Sequence, residues 1–272
     1  MYALLEHDAW RPVTKEQAMD LDLDLHLSDA ELQLYSRQIL MDDWDIDAQE
    51  RLKLSNILMV GCGGIGCLSA ELLARAGVGQ ITLVDPDTVE PSNLQRQIGY
   101  SAADIGFYKA EQLAKRLQQI NPYIRVVAHT SKLDEANATD LIAQQDLVLD
   151  GCDNFTTRSL VNKICVQQQV ALLSASAIGM QGQLFMVIDD SACYACLFPE
   201  NNQNERVNCA ESGVLATTPN VIASLQAHHA LLYLALGKTP LKQKLLLWNG
   251  LSMQQRMLSF EKNTNCVICQ AR

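Results

Sequence analysis

Short, uniformly apolar runs alternate along this chain with longer stretches in which apolar residues recur every three or four positions. That is the pattern of buried strands joined by amphipathic helices. The runs NILMV at Asn56 to Val60, ITLV at Ile81 to Val84, LVLD ending at Asp150 and VALLSAS from Val170 carry no polar alternation, so both of their faces should be covered. Helical patterns fall between and after them, at Ile65 to Ala76, around Lys109 to Gln119 and from about Thr156 to Gln169. Strand followed by helix, repeated, predicts an α/β, Rossmann-like, doubly wound and mostly parallel sheet.

Both ends depart from this rhythm. Near the start, Asp20, Asp22 and Asp24 alternate with Leu21, Leu23 and Leu25, which reads as a solvated acidic leader over residues 1–30. Ser28 and Glu31 then have capping-box spacing ahead of a helix through Leu32, Tyr35 and Ile39. After Gly179, the runs QLFMVI, LLLWNG and QQRMLSF predict antiparallel additions, separated by one long helix from Val221 to Leu236. Cys193 to Pro219, rich in Asn and Pro, reads as a long crossover loop.

Composition narrows the function. With 272 residues and 48% hydrophobic content the chain can bury a large core, and its net charge of −10 would repel a nucleic-acid backbone. Glu6, Asp8 and Glu16 interrupt the start, which excludes a secretory apolar segment. The Val221 to Leu236 helix is shorter than the ~20 residues that cross a bilayer, so no membrane partner and a cytoplasmic location are expected. Nine cysteines in such a compartment stay reduced, available as metal ligands or thiols.

Between the first strand and its helix lies Gly61-Cys62-Gly63-Gly64-Ile65-Gly66. Glycines at 61, 63 and 66 allow a tight turn and close backbone approach to phosphates, with the helix N-terminus behind them. Asp85, at the end of the second strand, is placed to accept hydrogen bonds from a ribose. A nicotinamide-dependent dehydrogenase would use these features alone. The following stretch supplies Asn93, Arg96 and Gln97, and then Lys109, cations that suit a triphosphate and its departing pyrophosphate. Asp150 and Asp153 sit at a strand's C-terminal edge, where carboxylates can hold magnesium; the alternative is that Asp153 or Asn154 only caps the next helix. Two C-x-x-C pairs, Cys193 with Cys196 and Cys266 with Cys269, suit one closed, structural tetrahedral zinc. Cys209 stands outside that set, as a thiol for a persulfide or acyl intermediate or as a thiol with no role. Cys62, Cys67, Cys152 and Cys165 read as small core hydrophobes.

In this order, YSRQI from Tyr35, GCGGIG, SNLQRQ, CDN and the two C-x-x-C pairs resemble the MoeB/ThiF family, bacterial relatives of ubiquitin-activating enzymes. The resemblance runs from about Ser28 to Cys269. It implies an adenylation domain over residues 31–272, with a nucleotide-binding half to about 180 and a carrier-binding and zinc half beyond. ATP would lie over Gly61, Gly63, Gly64 and Gly66, with Asp85 on the ribose, Arg96 and Lys109 on the phosphates and Asp153 on Mg2+. Asp87, Asn93, Gln97 and Asn154 would complete the pocket. Arg37 would reach the neighbouring subunit's nucleotide, which implies a homodimer. The implied reaction is adenylation of the C-terminal Gly-Gly carboxylate of a ubiquitin-like sulfur carrier, prepared for a sulfurtransferase or cysteine desulfurase. Carriers of molybdopterin synthesis and of thiamin thiazole synthesis (ThiS) are both open, the former favoured. Gly151 and Cys152 stand where Cys-Thr is commoner in the family.

Overall fold

In a computed structural model of the chain, the structure describes residues 26–199 and 213–269. The elements are α1 (Asp29–Ile39), α2 (Ile46–Leu54), β1 (Asn56–Val60), α3 (Gly66–Ala76), β2 (Gln80–Val84), α4 (Lys109–Ile120), β3 (Arg125–His129), α5 (Ala138–Ile142), β4 (Leu147–Asp150), α6 (Phe155–Gln168), β5 (Ala171–Ile178), β6 (Gln181–Val187), α7 (Tyr194–Leu197), α8 (Thr217–Leu236), β7 (Lys244–Asn249) and β8 (Gln254–Ser259). The strands form one sheet in the order β3-β2-β1-β4-β5-β6-β7-β8. From β3 to β5 all pairings are parallel; from β5 to β8 all are antiparallel. The mostly parallel doubly wound sheet with antiparallel C-terminal additions is therefore present, and it is continuous across residue 180.

Alternation along β1 shows how the two layers are made. Ile57 and Met59 point into one core with α2, α3, α4 and α8, while Leu58 and Val60 enter the other, with α5, α6 and the cysteine hairpins. All four side chains are buried, which is why the strand reads as continuously apolar. On the first face α4 buries Ala110, Leu113 and Leu117 along one stripe, the helical spacing its sequence carries.

Several expectations about local structure change. The capping box at Ser28 forms as expected, its hydroxyl accepting the Glu31 N–H and the Glu31 carboxylate accepting the Ser28 N–H. In the described parts of the Cys193 to Pro219 crossover, Tyr194–Leu197 makes one helical turn and α8 begins at Thr217, earlier than the expected Val221. Pro219 fits because a proline in a first turn removes an N–H that has no helical partner anyway. The edge strand β3 and the helices α2 and α5 have too few apolar positions to stand out in the sequence. Most of the acidic leader, Cys209 and Gln270 lie outside the described residues.

Candidate nucleotide site and cysteine centre

The chain leaves β1 for α3 on one side of the sheet and β4 for α6 on the other, so a crevice opens at their C-terminal ends. The two crossovers lock together there. Gly61 donates its N–H to Val84 O at 2.9 Å, and Gly151 donates to Val60 O at 3.0 Å. Gly61 has φ +86°, and a Cβ on Gly66 would stand 1.8 Å from the Gly61 carbonyl oxygen. Only glycine allows that loop to close on itself.

A cavity of about 450 Å3 fills the crevice. Of the residues expected at a nucleotide site, Gly61, Gly63, Gly64, Asp85, Asp87, Arg96, Gln97, Lys109, Asp153 and Asn154 line it. Three others do not. Gly66 sits behind the loop it permits, and Arg37 is exposed on α1. Asn93 is buried and works one step back: its side-chain oxygen accepts the Glu90 N–H at 3.2 Å, while its carbonyl accepts N–H groups of Arg96 and Gln97 at 3.1 and 2.9 Å. That turn sets where Arg96 points.

The Asp85 carboxylate accepts the N–H of Cys62 at 2.7 Å and of Asp87 at 2.8 Å, so it holds the glycine loop against β2. Burial pushes its pKa up, against the opposing pull of those N–H groups and of Lys109. Lys109, itself buried, reaches exposed Asp87 at 3.0 Å. That pair holds the ammonium in the crevice and leaves Lys109 able to exchange a partner for a ligand oxygen. Gln97 is also buried, and its side-chain oxygen has no hydrogen-bond partner among the described residues. An unpaired buried acceptor in a cavity wall is open to a donor from water or from a ligand.

The two aspartates after β4 separate. Asp150 is buried and occupied: it accepts from Ser174 Oγ at 2.7 Å and from Cys152 N at 3.0 Å, and lies 3.6 Å from Arg158. It serves the fold. Asp153 is exposed at the cavity wall, and the N-cap of α6 is Asn154, whose side-chain oxygen accepts the Thr157 N–H at 2.9 Å. The capping alternative thus falls on Asn154 and leaves Asp153 for other work.

Sequence reasoning missed Arg158, Lys132 and Gln226. Arg158 lines the cavity and donates to the carbonyls of Cys152 and, at 2.9 Å, of Ala175, bracing the loop that carries Asp153. Lys132, on the loop after β3, adds a further cation at the rim. Gln226 reaches down from α8 to donate to Asp150 O and Leu173 O, both at 3.0 Å, and accepts from Ser69 Oγ at 2.7 Å. Spacing from the glycine loop offered no signal for any of them. Cys62, Cys67 and Cys165 are fully buried, as small hydrophobes should be; Cys152 is buried too, its thiol 2.7 Å from Asp150.

The second centre lies on the other face. Cys193, Cys196, Cys266 and Cys269 bring their four sulfurs within 4.8 Å of one another. Cys193 and Cys266 are 3.7 Å apart, and Cys196 and Cys269 3.4 Å. A tetrahedral ion with metal–sulfur bonds of about 2.3 Å sets its ligands roughly 3.8 Å apart, so this cluster is of a size to hold a metal such as zinc. Tyr194 packs the first hairpin onto the core through Phe155, Phe185 and Phe198, with ring centroids 4.9 to 5.8 Å from its own.

Comparison with known proteins gives a consistent result. Residues 35–268 match the model of the ThiF family. The molybdopterin-synthase adenylyltransferase of Escherichia coli strain K12 is 42% identical over 89% of this chain and 98% of its own length. The sulfur carrier protein ThiS adenylyltransferase of the same strain is 40% identical over 89% of this chain and 97% of its own length. Among solved structures, E. coli MccB with ATP superposes with a TM-score of 0.78 at 25% identity, covering 89% of this chain and 75% of that one. A family match across most of the chain, on a fold shared with an ATP-bound structure, leaves no ambiguity of class: the chain is a member of the ThiF family.

Proposed function

We propose that this protein is an ATP-dependent adenylyltransferase that activates the C-terminal carboxylate of a ubiquitin-like sulfur carrier. The observation that carries this reading is the convergence of Arg96, Lys109 and Asp153 on the cavity formed by the glycine loop and Asp85. A hydride-transfer site would use the loop and Asp85 and leave the other three idle. The relatives' names support the activity, and the 42% identity to a molybdopterin-synthase adenylyltransferase supports a carrier of that type over the thiazole-pathway carrier.

The reaction needs little from the protein beyond placement. A glycine carboxylate oxygen attacks the α-phosphorus of ATP, the bond to the bridging oxygen breaks, and pyrophosphate leaves with that electron pair. The nucleophile is already an anion, so no general base is required. The backbone of Gly61 to Gly64 approaches the phosphates, Asp85 accepts from the ribose, and Asp87, Gln97 and Asn154 line the remaining wall. Arg96 and Lys109 neutralise charge that builds on the departing pyrophosphate. Asp153 would hold magnesium, which would supply charge neutralisation for the phosphates. The four cysteines would hold zinc closed to substrate, as a structural tie between the chain's end and the crossover region at Cys193 and Cys196. Arg37, exposed on α1 and away from its own cavity, would complete the site of a second copy, making the working form a homodimer. Cys209 is retained as a candidate thiol for the later sulfur step. No described helix is long and apolar enough to cross a membrane.

The test is ATP–pyrophosphate exchange with magnesium and a carrier ending in Gly-Gly. Exchange is expected with a molybdopterin-synthase small subunit, and Asp153→Ala should lower it at least 100-fold while metal content and melting temperature stay unchanged. Because Asn154 supplies the cap, the variant separates chemistry from fold. Retained exchange in Asp153→Ala would remove that carboxylate from the mechanism, and no exchange with any carrier would refute the activity.

A further inference from the structure

The glycine loop is clamped from two sides, and one of the clamps has no part in the chemistry described so far. Cys62, the second residue of the loop, donates its N–H to Asp85 Oδ2 at 2.7 Å, and its carbonyl oxygen accepts a hydrogen bond from the Tyr100 hydroxyl at 2.7 Å. Tyr100 is 8% exposed and packs in the core that α3 and α4 share. Burial pushes its pKa well above the ordinary tyrosine value, so the hydroxyl keeps its proton and acts as a donor. Its N–H donates to Gln97 O at 3.2 Å, and its hydroxyl lies 3.4 Å from Lys109 O. One residue thus joins the glycine loop to the turn that carries Arg96 and Gln97 and to the first residue of α4, all of which line the nucleotide cavity.

Peptide geometry turns that clamp into an orientation. No peptide bond among the described residues is cis, so the Cys62 carbonyl and the Gly63 N–H, which belong to one planar trans unit, point in opposite directions. The carbonyl is drawn inward to Tyr100. The Gly63 N–H therefore faces away from Tyr100; Gly63 lines the cavity, and its N–H has no hydrogen-bond partner among the described residues. Such a group is open to an acceptor from water or from a ligand. We propose that Tyr100 is a positioning residue for nucleotide binding: by holding the Cys62 carbonyl inward, it aims the Gly63 N–H at a phosphate of the bound nucleotide. This rests on the reading of the crevice as an ATP site. Asp85 fixes the peptide between Gly61 and Cys62, and Tyr100 fixes the next one. The second clamp is needed because glycine, which permits close approach to phosphates, also rotates most freely about φ. A phenylalanine would keep the ring and its packing but leave the Cys62 carbonyl without its donor, and the Gly63 N–H could then turn out of line.

The test is Tyr100→Phe in the full-length protein, with the binding of Mg-ATP and of adenosine measured side by side. Affinity for Mg-ATP should fall about 3- to 10-fold, the scale of one hydrogen bond. Affinity for adenosine should stay the same, because adenosine offers the Gly63 N–H no phosphate. An equal loss for both ligands would reduce Tyr100 to a support of the fold, and unchanged affinity for both would remove it from the site; either result overturns the inference. Should the variant fail to fold, the unchanged protein, its glycines labelled with an NMR-active nitrogen isotope, decides. The Gly63 amide proton is expected to move downfield when Mg-ATP binds and to stay in place with adenosine, and a Gly63 signal indifferent to the phosphates refutes the contact. No binding of Mg-ATP by the unchanged protein would remove the nucleotide reading and this inference together, a result distinct from ATP bound equally well without the Tyr100 hydroxyl.

Discussion

The two halves of the sheet are built from similar strands and treated oppositely by their surroundings. In the parallel half, all but the first residue of β1 and β2 and the whole of β4 are buried, and helices cover both faces. In the antiparallel half, all six residues of β8 are exposed, Met257 and Leu258 among them, and its outer edge is unpaired among the described residues. Strands buried on both faces end in fixed places, and the cavity is lined by the loops at those ends. Strands with open faces position little; the proposed carrier could use their apolar surface and pairing edge. The parallel half fixes the site, and the antiparallel half leaves an open face.

The sharpest way to break that division is at the glycine loop. Gly66→Ala would place a methyl group 1.8 Å from the Gly61 carbonyl, so β1 and α3 must separate or the loop must move. A loss of about 3 kcal/mol or more is expected. ATP–pyrophosphate exchange should disappear with it. Thermal melting and Mg-ATP titration check both, and a variant that melts and binds as the parent does would show that the tight closure of this loop does not shape the site.

A smaller, paired effect tests the contrast directly. Leu149→Ala, in fully buried β4, should cost about 2–5 kcal/mol in urea unfolding. Leu258→Ala in β8 should change stability by less than about 0.5 kcal/mol, while raising the KM for the carrier and leaving the KM for ATP unchanged. Equal stability losses at the two positions would mean that β8 is structurally integral and not a free face.

How much of this was legible in the sequence follows the same division. The parallel strands announce themselves because burial on both faces removes polar alternation, and the glycine loop because a tight turn and close approach admit few residue types. The cysteine pairs are legible because C-x-x-C is a spacing that suits metal ligation, even with the hairpins about seventy residues apart. What stayed hidden depends on contacts between distant segments. Gln226 and Arg158 look like ordinary polar helix residues, and only the packing of α8 and α6 on the strand ends shows that their hydrogen bonds brace the site. Asp150 and Asp153 were indistinguishable as neighbours in sequence. Ser174 and Arg158, brought from β5 and α6, decide which of them is consumed by the fold.

The helix α8 spans the junction of the two halves, packing on α3, β4, β5 and β6, and it carries a group that can loosen that junction with acid. His229 lies on α8 with its Nδ1 buried and without a hydrogen-bond partner among the described residues, its ring 5.6 Å from that of His228. Burial first, and the neighbouring imidazole second, lower its pKa from 6.5 to about 4. In the unfolded chain the same imidazole takes up a proton near pH 6.5. A depressed native pKa means that the neutral form's stability is complete above pH 6.5 and is lost as pH falls toward 4. His229 is only partly buried, so after allowing for solvent screening the loss should be about 1–2 kcal/mol. His229→Leu should remove that part of the acid slope and leave the part due to other groups, seen as a difference between the two proteins in melting temperature that opens between pH 6.5 and 4. Hydrogen exchange should place the loosening in α8 and at the β5–β6 junction. Parallel acid slopes in the two proteins would mean that His229 reaches solvent, and that α8 does not seal the two halves together at this point.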